Sequence, residues 1–148
     1  KTFISSTFWT ERIGPSAALA TLNVMEKEKS WKTITEIGLK VKDGWSKLAK
    51  NNKLDITVQG ISAMSSYSFN YENAVEYKTL VTQEMLKKGF LASTNFFACT
   101  KHSDEYLESY FDSLNEIYNV IRKCENDELN IENLLEGPKS HSGFTRLN

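Results

Sequence analysis

Ser5, Ser6 and Thr7 stand side by side near the start of the 148-residue chain, and Thr10 follows after Phe8 and Trp9. Short hydroxyl side chains at a bend, together with backbone N–H groups, can bind a phosphate or another oxyanion without a large charge. The stretch SSTFWTERIGPSAALATL then runs through Glu11 and Arg12 to Gly14 and Pro15, which open a helix rich in alanine and leucine. The same residues also read as a strand end, a turn with capping hydroxyls and a proline-initiated helix. On residue types alone this second reading is the more economical, and both stay open.

Little else in the chain is arranged for chemistry. There is no glycine-rich phosphate loop of common spacing and no G-x-S-x-G nucleophile elbow. His102 and His141 are the only histidines, and neither has a second ligand at metal-binding spacing. His102 precedes a helix start and His141 lies in the tail, so both are expected to face solvent or to be hydrogen-bonded. Asp104 and Glu105 suit the first turn of a helix, where the dipole favours anions. Lys87 and Lys88 precede Gly89 and read as cations at a helix end. The tail HSGFTRLN offers Arg146, which could grip a carboxylate through two parallel hydrogen bonds. So close to a chain end, Arg146 is expected to solvate the terminus instead, with Phe144 buried as the tail's anchor. No complete active site and no metal site can be assembled from these residues.

The elements follow from periodicity. A first strand is expected over Thr2 to Ser6, then a helix from Pro15 to about Glu28 with Ala18, Leu22 and Met25 on one face. Its small residues suggest close packing against another element. A second helix after Ser30 carries Ile34, Ile37, Val41, Trp45 and Leu48 at helical spacing, with Gly38 and Gly44 as weak points. LDITVQG and SYSFNY alternate as an antiparallel pair. A third helix spans about Glu72 to Lys88, with Tyr77, Leu80, Val81 and Met85 inward and Gly89 as its stop. FLAS and FFAC read as short strands, which places Cys99 in a strand. The last long helix is capped by Ser103 and carries Leu107, Tyr110, Phe111, Leu114, Ile117, Tyr118 and Ile121 as one stripe, with Cys124 near its end. A short helix is expected around Ile131 to Leu135. Paired strands with helices set apart define an α+β fold, a small antiparallel sheet packed with helices.

The totals agree with a globular unit. Hydrophobic residues make up 40% and charged residues 25%. A chain of this size buries about 70% of its unfolded surface, enough for a real core. The formal net charge of -1 gives no pull toward nucleic acid or an anionic membrane, and the aromatics alternate with acids rather than with a basic stripe. No apolar run reaches the ~20 residues of a membrane-spanning helix. Two distant cysteines form no disulfide framework, and they read as reduced thiols of a cytoplasmic protein. Because the chain opens on Lys1 and an apolar TFIS, it is expected to be a piece of a longer polypeptide.

Three stretches together resemble a known family. FISSTFWTERIGPSAALATLNVME is similar to the segment of class III aminotransferases that follows the Schiff-base lysine, close to the glutamate-1-semialdehyde aminomutase group. VQGISAMSSYSF resembles the paired strands of that family's small domain. EYKTLVTQEMLKKGFLASTNFFACTKHSDEYLESYFDSL resembles its helix, glycine stop, short strands and last long helix, and HSGFTRLN is like the ending of one subgroup. The resemblance implies the C-terminal small domain of a fold type I transferase dependent on pyridoxal 5'-phosphate (PLP). Residues 1–28 would be the end of the large domain with a connecting helix, and 29–148 the small domain. It implies amino-group transfer between an amine or amino acid and an oxo acid or semialdehyde, in a homodimeric parent whose lysine lies upstream, so that the piece alone is inactive. Thr7, with Ser6 beside it, would contact the cofactor phosphate across the dimer interface. The family pattern sets a threonine a few residues before Asn-Pro; here FWTERIG intervenes before Pro15, so Thr10 has the more usual spacing. A reading from a different class is a stand-alone, non-catalytic α+β interaction module.

Overall fold

The structure, a computed structural model, describes residues 11–141. The chain divides into two units, Lys1–Thr33 and Ile34–Asn148. The expected strand at Thr2 to Ser6, and Phe144 and Arg146, lie outside the described residues.

In the first unit, α1 (Ile13–Glu28) starts one turn around Pro15 and ends at Lys29, whose left-handed backbone (φ 50°) returns its N–H to the Met25 carbonyl. None of its residues is buried, and Leu19 and Leu22 are 63% and 59% exposed. The close packing against another element that its small residues suggest is not seen among the described residues. A helix face of this kind becomes buried only when another element covers it.

The second unit takes in most of α2 (Ser30–Asn51), then β1 (Ile56–Ile61), β2 (Met64–Phe69), α3 (Ala74–Lys87), β3 (Asn95–Phe97), α4 (Asp104–Glu125) and a 3-10 turn (Ile131–Asn133). The sheet is antiparallel in the order β1-β2-β3. Ser62 and Ala63 turn the hairpin, and the register places Ile61 opposite Met64 and Met64 opposite Phe97. Successive strand residues point to opposite faces. Tyr67, Phe69 and Phe96 therefore share one face with Ile56 and Val58, and the three helices pack there.

Aromatic contacts join the layers. Trp45 of α2 lies 4.8 Å from Tyr67 between ring centres, Tyr77 of α3 lies 5.6 Å from Phe69, and Tyr118 of α4 lies 6.0 Å from Tyr67. Such pairs add roughly 0.5–1.5 kcal/mol each beyond the area they bury. The expected stripes hold: Ile37, Val41 and Trp45 of α2, all four inward residues of α3, and Leu107, Tyr110, Leu114, Ile117, Tyr118 and Ile121 of α4 are buried. Ile34, Leu48 and Phe111 are half-buried. Ser103 caps α4 by accepting the Tyr106 N–H at 3.3 Å. Gly89, at φ 86°, ends α3 where a side chain would be strained.

The two helix glycines have a second role that propensity does not show. A Cβ on Gly38 would run into the Ser62 carbonyl, and one on Gly44 into the Phe111 ring. Both are sites of close approach, one to the hairpin turn and one to α4.

FLAS is not a strand. The two edges of β2 are taken by β1 and β3, and the segment is spent on closing α3 instead. The Phe90 N–H returns to the Met85 carbonyl at 2.9 Å, and the Phe90 ring packs 6.0 Å from Tyr110. Cys99 lies just beyond β3, exposed and outside any strand, whereas Cys124 is buried in the last turn of α4. The expected helix at Ile131 to Leu135 is a single 3-10 turn, begun by the Asn130 side chain, which accepts the Glu132 N–H.

Polar groups in the core are unevenly satisfied. The Trp45 Nε1–H donates to the Tyr110 hydroxyl at 2.8 Å. The hydroxyls of Tyr67 and Tyr118 are buried and face one another outside good hydrogen-bond geometry. Burial pushes the Tyr110 phenol up to about 12. Folding therefore favours the neutral phenol, and this stabilisation is full below the unfolded value near pH 10 and is lost as pH rises through about 12.

Two outcomes are expected in urea unfolding. Gly38→Ala should lose at least about 1 kcal/mol, because the backbone collision outweighs the ~1 kcal/mol gain in helix propensity. Gly14→Ala, in open space on α1, should be neutral or stabilising by up to about 1 kcal/mol; equal gains at both positions would contradict the close approach.

Tyr110→Phe should cost about 1–3 kcal/mol, since it strands the buried Trp45 donor. Tyr118→Phe removes a hydroxyl whose polar neighbour is the poorly aligned Tyr67 hydroxyl, and should cost less than Tyr110→Phe. The reverse order would show that the Tyr118 hydroxyl is bonded.

Candidate functional site

Ser6, Thr7 and Thr10 lie outside the described residues. The helix that follows them is described: α1 starts with the Ser16 N–H donating to the Arg12 carbonyl at 2.9 Å, and Gly14 has no neighbour that a Cβ would meet. Arg12 provides no side-chain cap.

Within the second unit, a groove bearing aromatic side chains lies between β3, the segment after α3 and the start of α4. It encloses about 490 Å³ and is lined by Phe90, Leu91, Phe96, His102, Tyr106 and Tyr110, among others. Leu91 is 97% exposed at its mouth. His102 is fixed at one wall. Its Nδ1 accepts the Cys99 N–H at 3.1 Å, and its own backbone N–H donates to the Cys99 carbonyl at 3.0 Å. The ring lies 4.9 Å from Phe96. The expectation of a hydrogen-bonded histidine is met, and the partner is the backbone of its own turn.

A second cavity of about 410 Å³ lies between α3, α4 and the 3-10 turn, floored by Leu80, Ile117 and Leu134. Its lysines are committed to ion pairs: Lys87 with Glu84 at 2.6 Å and Glu136 at 2.7 Å, and Lys88 with Glu116 at 2.6 Å. Lys87 and Lys88 are thus helix-end cations, as the sequence suggests, and such surface pairs add little stability. A third recess holds Tyr77, which donates to the Glu125 carboxylate at 2.5 Å beside Cys124. Burial raises the Tyr77 phenol and the Cys124 thiol, so both stay neutral at ordinary pH.

Among the described residues no cluster of three His, Cys, Asp or Glu is placed to hold a metal ion. No described helix is long and apolar enough to cross a membrane. The aromatic groove is not foreseen in the sequence reading. Its signal is present in FLAS and FFAC, where Leu91 and Phe97 are large apolar residues that the core does not use.

The outer face of the sheet is also distinctive. Ile61, Met64 and Phe97 form a row across all three strands, and they are 69%, 55% and 63% exposed. Thr57, Gln59, Ser68 and Asn95 share this face, all exposed or half-buried.

No protein-family model and no curated protein matches the chain. Among solved structures, the FumI protein of Sphingopyxis sp. MTA144, in its PLP internal aldimine form, matches with a TM-score of 0.71 over 90% of this chain, at 15% identity. The chain spans 33% of the length of FumI. At that identity the likeness is one of fold: this α+β arrangement, one small antiparallel sheet with helices on one face, is also found within a PLP-bound protein.

Proposed function

We propose that the chain is the C-terminal small domain, with a short part of the large domain, of a PLP-dependent aminotransferase of the class III kind. The parent moves an amino group between an amine or amino acid and an oxo acid or semialdehyde, as a homodimer in the cytoplasm. The observation that carries this reading is the likeness to FumI over nearly the whole chain, together with the fact that it accounts for only a third of that protein. The likeness to FumI supports a PLP-enzyme fold, and the ordered resemblance from Phe3 to Leu147 supplies the class III family.

The described residues do not form a cofactor cradle. No described lysine is buried, and Lys40, Lys87, Lys88 and Lys139 are engaged by carboxylates at the surface. A lysine that bonds covalently to PLP needs a desolvated pocket that lowers its amine's proton affinity. PLP supplies the electron sink for amino-group chemistry when bound, and in this reading the lysine that holds it belongs to the upstream part of the parent. Thr7, with Ser6 and Thr10 as neighbours, is the group of this chain assigned to the cofactor phosphate.

The experiment is cofactor binding by the full-length parent. Thr7→Ala should weaken PLP binding by about 1.5–3 kcal/mol, the loss of one hydrogen bond to a charged group, with unfolding unchanged. Thr10→Ala serves as the comparison. A sensitive Thr10 with a neutral Thr7 would mean that the spacing to Pro15 identifies the phosphate contact.

A further inference from the structure

The two outer edges of the sheet are treated differently. At the β1 edge, Gly60 pairs with Ser65 without hydrogen bonds to β2, so its carbonyl points outward. Lys42 of α2 donates to that carbonyl at 2.8 Å, and Gly38 lets α2 lie against the adjoining Ser62. The chain thus covers the turn end of this edge, while the outward backbone groups of Ile56 and Val58 have no partner among the described hydrogen bonds.

The β3 edge has no such cover. The Tyr67 N–H donates to the Thr94 carbonyl and the Ala98 N–H to the Ala63 carbonyl, both at 2.9 Å. These bonds extend the pairing with β2 from Thr94 to Ala98 and fix its alternation. Thr94, Phe96 and Ala98 exchange bonds with β2, so the N–H and C=O of Asn95 and Phe97 point away from it. None of the described hydrogen bonds satisfies those outward groups. The edge carries no charged side chain or proline, the usual devices that block strand pairing. The aromatic groove runs directly beside it, and Leu91 and Phe97 stand exposed at its rim.

We propose that an extended strand from the remainder of the parent polypeptide adds to β3, bonding to the backbone of Asn95 and Phe97. The inference rests on the reading of this chain as about a third of a longer PLP enzyme, and that remaining length supplies the occupant. Strand alternation sets the occupant's chemistry. The residue beside Phe97 extends the Ile61–Met64–Phe97 row and is apolar. The residue beside Phe96 enters the groove toward His102 and Tyr110 and is apolar or aromatic.

Amide hydrogen exchange at Asn95 and Phe97, measured by NMR or mass spectrometry, tests this on the 148-residue chain and on the product of the complete reading frame. Both amides should exchange rapidly in the 148-residue chain and at least about a hundredfold more slowly in the longer product. Equal, rapid exchange in both overturns the proposal. Slow exchange already in the 148-residue chain, with the mass of a dimer, also overturns it and assigns the edge to a second copy. Visible absorbance of bound PLP in the longer product reports separately on the parent reading. Bound PLP with unprotected amides sinks the added strand alone. Protected amides without PLP keep an added strand of the same polypeptide and sink the enzyme it was assigned to. A complete reading frame no longer than this chain sinks both.

Discussion

Everything in the second unit depends on how closely α2 approaches the hairpin. Gly38 lets the helix backbone lie against the Ser62 carbonyl, and Gly44 admits the Phe111 ring of α4. With α2 at that distance, Trp45 is buried completely on Tyr67, and its indole N–H reaches the Tyr110 hydroxyl. One helix is thereby joined to a strand and to the last helix through a single side chain. A larger residue at Gly38 would lift α2 from the turn, and the gap would open beneath Trp45, where dispersion contacts fall off within an ångström. The same approach brings Lys42 to the Gly60 carbonyl at the turn end of the β1 edge.

Much of this arrangement is legible in the residues. Helical spacing in α2, α3 and α4 names the buried faces, because burying an apolar stripe is the dominant gain and period 3.6 is the only way a helix can present one. Ser103 and Gly89 mark helix ends through chemistry that acts within one turn. The misreadings share a different cause. FLAS has a strand's composition, but a strand also needs a free partner, and Phe90 is drawn back onto the end of α3 instead. The small residues of α1 suggest tight packing, yet small residues permit close approach without supplying the element that approaches. In the sequence Gly38 and Gly44 look like helix weak points, because their neighbours Ser62 and Phe111 lie far along the chain. The residues whose types suggest phosphate binding, Ser6, Thr7 and Thr10, lie outside the described residues, and the groove seen in the structure is lined by other side chains.

In the proposed reading, function divides between what this fold carries and what the rest of the parent supplies. The fold is shared with FumI, a PLP-bound protein three times as long by the matched share. The described lysines sit at the surface, several tied to carboxylates. In the second unit the open β3 edge and the exposed apolar row on the sheet, and in the first the exposed face of α1, are surfaces on which another element could pack.

The most direct test of that account is borohydride reduction of the 148-residue chain in the presence of PLP, followed by peptide mass mapping. The account expects low, scattered labelling over many surface lysines, with no site approaching one cofactor per chain. A stoichiometric adduct at a single lysine would contradict it, because it would place the cofactor-binding amine within this chain.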